Sequence, residues 1–144
     1  MGTRCLTFVY EGDTPVINLY REYDGYPEGH GAELALLLTR GELINGLTDR
    51  NQVAFNGMGC LAAQVVAHFK QSVGGFYIHS VEEKECGQDY EYHVYEREQQ
   101  LMVRVVNRGC NMFGLTMDET NDVIFEGTAR EFYEFCNKEE LVEE

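Results

Sequence analysis

Positive charge is scarce in this chain. Lys and Arg number 11 against 25 Asp and Glu, which leaves a formal charge of −14 over 144 residues. A general binder of nucleic-acid backbones needs clustered Lys and Arg, so direct nucleic-acid binding is not expected. The same balance argues against anchoring on an anionic lipid surface. Long apolar runs are also missing, and no basic-then-apolar leader opens the sequence, so no membrane association is expected. The five cysteines (Cys5, Cys60, Cys86, Cys110 and Cys136) form no C-x-x-C pair and no Cys/His cluster. Neither a zinc site nor any other metal or cofactor is therefore expected. An odd number of widely spaced thiols in mostly apolar surroundings fits reduced cysteines in a cytoplasm.

What is present is enough for a core. The chain is 44% hydrophobic and carries 8 Phe and 9 Tyr, so it is a folded domain rather than a disordered segment. At 16.5 kDa it has the length of one domain. We place that domain at residues 1–138, followed by an acidic tail at 139–144 that is expected to fray. Residues 4–10 and 15–23 alternate in polarity around the turn sequence Glu11-Gly12-Asp13-Thr14 and predict a β-hairpin. Helical patterns follow from Gly31 to Gly41 and from Gly59 to Gln71, the second capped by Asn56. Strands are expected at Phe76–Val81, Glu91–Glu96 and Leu101–Val106. An acidic loop joins the first two strands, and a tight turn at Arg97–Gln100 joins the last two. Pairing Glu96 with Leu101 sets Val94 opposite Val103 and Tyr92 opposite Val105. A short strand at Val123–Phe125 and a helix capped by Thr128 complete the order. This predicts a single α+β domain whose mixed or antiparallel sheet, an N-terminal hairpin plus a three-stranded meander, packs with about three helices.

The hairpin generates the leading site hypothesis. If Tyr10 and Pro15 flank the turn and the register continues unchanged, Phe8 faces Ile17, Leu6 faces Leu19, and Arg4 faces Arg21. Like charges directly opposite each other are destabilising, so something anionic must compensate. It can be internal, from Glu22, Asp24 or Glu33, or it can be a ligand. The segment Tyr20-Arg21-Glu22-Tyr23-Asp24-Gly25-Tyr26-Pro27-Glu28-Gly29-His30-Gly31 then leads into the first helix. Helix-opening amides at Gly29, His30 and Gly31 suit an anion, Tyr23 and Tyr26 can stack on a ring, and Asp24 can accept hydrogen bonds. Arg4, Arg21, Tyr23, Asp24, Tyr26, Gly29, His30 and Gly31 thus form a candidate site for a small anionic, nucleotide-like ligand. The alternative is a rigid turn in which the tyrosines pack and His30 caps.

Asn56-Gly57-Met58-Gly59-Cys60 is a secondary candidate. Asn56, Gly57, Gly59 and Cys60 lie in a glycine-rich stretch that opens a helix, where a thiol can become nucleophilic. His68 is too far along the same helix to serve Cys60, so a base from His30 or His79 would be needed. The stretch lacks the Lys-Ser or Lys-Thr of a phosphate-binding loop. The bland reading is close helix–sheet packing with Cys60 buried. His93 falls opposite Arg104 and reads as a surface residue.

The runs Thr3-Arg4-Cys5-Leu6-Thr7, Asn18-Leu19-Tyr20-Arg21-Glu22-Tyr23-Asp24-Gly25-Tyr26-Pro27-Glu28-Gly29-His30-Gly31, Asn56-Gly57-Met58-Gly59-Cys60-Leu61-Ala62-Ala63-Gln64, Gly74-Gly75-Phe76-Tyr77 and Tyr90-Glu91-Tyr92 resemble a family of small proteins of bacteriophage genomes and scattered bacteria. The resemblance spans most of residues 3–106. It attaches no activity, cofactor or catalytic residue, and implies context only: a phage-type accessory protein acting in a bacterial cytoplasm.

Three functions are open at this level. The first is binding of a small anionic ligand at the Arg4–Arg21 pair, in a phage setting to counter host defence signalling. The second is an acidic nucleic-acid mimic that occupies the basic groove of a host nuclease or DNA-binding protein. The third is a small hydrolase or transferase using Asp24 and His30, or Cys60, and no motif supports its reaction class. Exposed sheet edges and many tyrosines leave room for a homo-oligomer.

Overall fold

The computed structural model describes residues 2–44, 54–109 and 122–137. The expected acidic tail and most of the expected irregular segment at 109–122, with Cys110, lie outside the described residues. The element order is β1 (Cys5–Glu11), β2 (Thr14–Arg21), a π-turn (Pro27–Gly31), α1 (Ala32–Arg40), β3 (Glu42–Ile44), β4 (Ala54–Asn56), α2 (Gly57–Phe69), β5 (Phe76–Ile78), β6 (Tyr90–Arg97), β7 (Gln100–Asn107), β8 (Asp122–Thr128) and α3 (Ala129–Cys136). The α+β class, the mixed sheet and the three helices are those the sequence predicts.

The main sheet has six strands in the order β5-β2-β1-β6-β7-β8, and β3 pairs with β4 as a small separate parallel sheet. The hairpin β1–β2 and the meander β6–β7–β8 are joined by the parallel pair β1–β6. Phe76–Ile78 does not neighbour the strand that follows it. It pairs with β2 at the opposite edge of the sheet.

Alternation divides the sheet into two faces. Cys5, Val9, Leu19, Phe76, Tyr92, Val94, Leu101, Val103 and Val105 join residues of all three helices in one core. Leu34, Leu38, Leu61, Val65 and Phe132 from the helices are essentially inaccessible there. Burying each such side chain contributes roughly 1.5–3 kcal/mol. Thr128 opens α3 with a complete capping box, in which its side chain accepts from the Glu131 amide and the Glu131 carboxylate accepts from the Thr128 amide. The other sheet face is not bare. Leu6, Phe8, Met102 and Val106 are buried there. The segment after β5 folds over it, with Asn18 Nδ2 donating to the carbonyls of Ser80 (3.0 Å) and Glu83 (2.9 Å). No helix among the described residues is long and apolar enough to cross a membrane.

The β6–β7 register is the one the sequence predicts: Val94 faces Val103, Tyr92 faces Val105, and Glu96 faces Leu101. The two residues of its turn, Glu98 and Gln99, both have positive φ (53° and 67°). That is the mirror-image turn favoured in two-residue hairpins, occupied by residues that resist it. Replacing the pair by Asn and Gly is expected to raise unfolding stability by about 0.5–1 kcal/mol. Urea titration checks this, and an unchanged or lower midpoint would contradict the turn geometry.

Candidate functional site

The predicted arginine pair does not form. Tyr10 does face Pro15, as expected, but the register shifts between Val9 and Tyr10, and Val9 already pairs with Ile17. Val16 is therefore an extra residue, a β-bulge beside a proline that cannot donate to the ladder. Past the bulge Cys5, not Arg4, faces Arg21, and Leu6 faces Tyr20. A one-residue slip transfers a side chain to the opposite face. Arg21 enters the helix-covered core, whereas Arg4 precedes β1 and its charge acts on Tyr20.

Arg21 is buried; its Nη1 is partnered, and its Nε has no acceptor. Its Nη1 donates to His30 Nδ1 (3.2 Å) and to Glu33 Oε1 (3.3 Å). Its guanidinium carbon lies 4.8 Å from the Phe76 ring centre and 5.1 Å from that of Tyr23. His30 is fully buried, stacked on Phe69 at 4.6 Å, with Nε2 2.7 Å from Thr7 Oγ1. Arg21 can only donate, so His30 Nδ1 carries a lone pair and Nε2 carries the hydrogen given to Thr7. Burial, then the Arg21 charge, pushes the His30 pKa down to about 3. His30 is thus a neutral core residue.

The rest of the predicted site is turn and packing. The His30 amide donates to the Asp24 carbonyl (2.8 Å), and the Tyr26 hydroxyl donates to Asp24 Oδ1 (3.2 Å). Tyr92 donates to the Gly25 carbonyl (2.7 Å). A Cβ on Gly31 would stand 2.9 Å from Cys136 Sγ, and one on Gly29 would stand 2.6 Å from the Asp24 carbonyl oxygen. These glycines are required for close packing rather than for the approach of a ligand. Of the eight proposed residues, the structure joins Arg21 and His30 in the core and leaves Arg4 apart. The segment is a turn, but His30 is buried in the core instead of capping a helix, and Tyr23 and Tyr26 stay partly exposed.

The secondary candidate does not assemble either. Asn56 takes the N-cap position of α2 without a capping side-chain hydrogen bond, and Gly57 has positive φ (84°). Cys60 is half-buried, and its sulfur receives Gln64 Nε2 at 3.4 Å. Both ring nitrogens of His30 are engaged elsewhere, and His79 Nδ1 lies 3.3 Å from Cys86 Sγ. Among the described residues no histidine is placed to activate Cys60.

A different constellation lies on the opposite sheet face. Parallel pairing of β1 with β6 brings Phe8 beside His93, and antiparallel pairing brings His93 beside Arg104 and Arg104 beside Glu126. The Tyr10 hydroxyl is 2.7 Å from His93 Nδ1, and His93 Nε2 is 2.9 Å from Glu91 Oε1. Phe8 and His93 stack 5.1 Å apart and nearly parallel. The other Glu91 oxygen receives Arg108 Nη1 (2.5 Å) and Gln88 Nε2 (2.8 Å), and Arg108 Nη2 reaches Glu85 (2.7 Å). Burial opposes charge on Glu91, but hydrogen bonds from His93, Gln88 and Arg108 outweigh it and hold its pKa at about 2. Glu91 is therefore an anion that fixes the His93 ring, an arrangement of base and orienting carboxylate. His93 is not a freely solvated surface residue, since its side chain is only 13% exposed.

Two hollows adjoin this relay and share Tyr10. The smaller, about 40 Å³, is lined by Phe8, Tyr10, Pro15, Lys84, Glu91 and His93 and is little larger than one water. The larger is an open groove of about 360 Å³, which reaches the size of small-molecule sites. Tyr10, Tyr95, Arg97, Arg104 and Glu126 contribute to its lining, with Asp13 and Glu96. The carboxylate opposite Arg104 is already engaged, because Glu126 accepts a short hydrogen bond from the Tyr95 hydroxyl and lies 4.0 Å from Arg97. Arg104 makes no ion pair among the described residues, and its buried Nε has no acceptor. One signal in the sequence pointed here: Glu91, His93, Tyr95 and Arg97 occupy alternate positions, so one face of a single strand carries four chemistry-bearing side chains.

The chain matches no protein-family model, no curated protein and no solved structure.

The buried state of His30 has a measurable consequence. The unfolded chain takes up its proton near pH 6.5 and the folded chain only near 3, so stability is highest above that window and falls as pH drops through it. The slope is at most about 1.4 kcal/mol per pH unit. Urea titrations between pH 6.5 and 5, above the range where Glu91 adds a change of the same sign, should show this loss. His30→Gln should flatten it, and parallel profiles for the two proteins would contradict the assignment.

Proposed function

We propose that this protein binds a small anionic ligand in the groove on the sheet face opposite α1, α2 and α3. The supporting observation is Arg104, a guanidinium that lines a ligand-sized groove and makes no ion pair among the described residues. What sets Arg104 apart from the other arginines without an ion pair among the described residues, Arg4 and Arg40, is that it lines a groove of ligand size. A partly desolvated guanidinium without a countercharge is costly, and an anion in the groove supplies that charge. Arg97 at the rim adds a second positive charge, and the Tyr10 and Tyr95 rings offer flat surfaces for a planar group. Asp13 and Glu96 on the groove wall favour a ligand that also carries hydroxyl or amino donors. A nucleotide unites these features. Burial raises the Tyr10 pKa, so its phenol stays protonated at neutral pH, which favours binding over nucleophilic chemistry.

A panel of nucleotides and sugar phosphates, screened by thermal shift and calorimetry, tests the reading. At least one is expected to raise the melting temperature. Arg104→Gln should weaken that ligand at least about tenfold, as expected for loss of a charged hydrogen bond. Arg4→Ala should leave its affinity unchanged. A panel without any shift, or an affinity indifferent to Arg104→Gln, would overturn the proposal.

A further inference from the structure

We infer that Tyr10 selects for a ligand that presents a hydrogen-bond donor beside its anionic group, a hydroxylated or aminated phosphate rather than a bare anion. The inference rests on the groove reading above and follows from counting protons along the relay. Glu91 is ionised and can only accept. His93 Nε2, 2.9 Å from its oxygen, must therefore carry a hydrogen. When the ring carries that single hydrogen, Nδ1 keeps a lone pair and the Tyr10 hydroxyl at 2.7 Å donates to it.

A phenol has one hydrogen. With that hydrogen committed to His93, the Tyr10 oxygen can only accept from anything else it meets. Reorienting the hydroxyl would leave His93 Nδ1 without its hydrogen. The ring is not free to turn away either, because it is stacked on Phe8 and held at Nε2. Glu91 in turn is held by Arg108 and Gln88. With a single hydrogen on His93, the sense of each hydrogen bond follows from the buried carboxylate outward to Tyr10.

Tyr10 lines the same groove as Arg104, and the Arg104 charge acts on its hydroxyl. The groove therefore offers donors at Arg104 and an acceptor at Tyr10. A ligand with only acceptors satisfies one end and sets its lone pairs against the Tyr10 oxygen at the other. A phosphate with a neighbouring hydroxyl satisfies both. Glu91, His93 and Arg108 act through Tyr10 and are positioning residues.

Two measurements on the full chain test this. Ring-nitrogen NMR of His93 at neutral pH should show the hydrogen on Nε2 and a bare Nδ1, and a hydrogen on Nδ1 would overturn the inference whatever the ligand is. Calorimetry should then compare a ribonucleoside monophosphate with its dideoxy counterpart. The ribonucleotide is expected to bind about five- to tenfold more tightly. Tyr10→Phe should reduce that ratio to near one, and His93→Phe, which keeps a ring against Phe8 but removes the acceptor, should also shrink it. Equal affinities in the wild-type protein, or a ratio unchanged in Tyr10→Phe, would overturn the donor selection while leaving the anion site standing. Failure of both nucleotides to bind would overturn the anion site and the donor selection together.

Discussion

The insertion of Val16 opposite the Val9–Tyr10 step governs how the chemistry of this chain is divided between the two faces of its sheet. Up to that point the β1–β2 ladder runs as the turn dictates, and beyond it every β2 side chain is displaced by one position relative to β1. Arg21 consequently points under the helices, where it meets His30, and Leu6 is matched with Tyr20 on the other side. Without the extra residue Arg4 and Arg21 would stand across from one another. A bulge adds one residue and bends the strand, and it commits each later side chain to the opposite environment.

Two polar networks result, one on each face, and they are built differently. Thr7, His30 and Arg21 form a chain inside the helix-covered core, packed against aromatic rings, that ends at the half-exposed Glu33. Both nitrogens of its imidazole are spent internally, and the one donor left without an acceptor, Arg21 Nε, is buried, its guanidinium against the Tyr23 and Phe76 rings. Tyr10, His93, Glu91 and Arg108 form the outer network, which ends on a residue that lines open space. The difference is one of coverage. Three helices seal the inner face, whereas the segment after β5 covers only part of the outer one.

Arg104 matters for the same reason. On a strongly acidic surface most arginines find a carboxylate, as Arg108 does twice over. Arg104 has one directly across the ladder, but the Tyr95 hydroxyl already holds Glu126. A groove carrying positive charge can therefore exist in a chain whose overall charge is strongly negative. Local pairing, rather than net charge, decides where an anion is welcome.

Wherever structure is local, the residues by themselves determined it. The Gly12 turn, the apolar faces of α1 and α2, the capping box at Thr128 and the β6–β7 register all follow from patterns within a few residues of each other, because turn chemistry and side-chain period act over that range. The candidate site was not legible in this way. Tyr10 and His93 meet only because β1 and β6 become parallel neighbours, a pairing between segments 83 residues apart. The position of β5 at the far edge and the fate of Arg21 likewise depend on pairings that no local pattern encodes. Alternation specifies which residues share a face, but which strand lies alongside, and where a bulge reverses that assignment, is decided by the free energy of the assembled sheet.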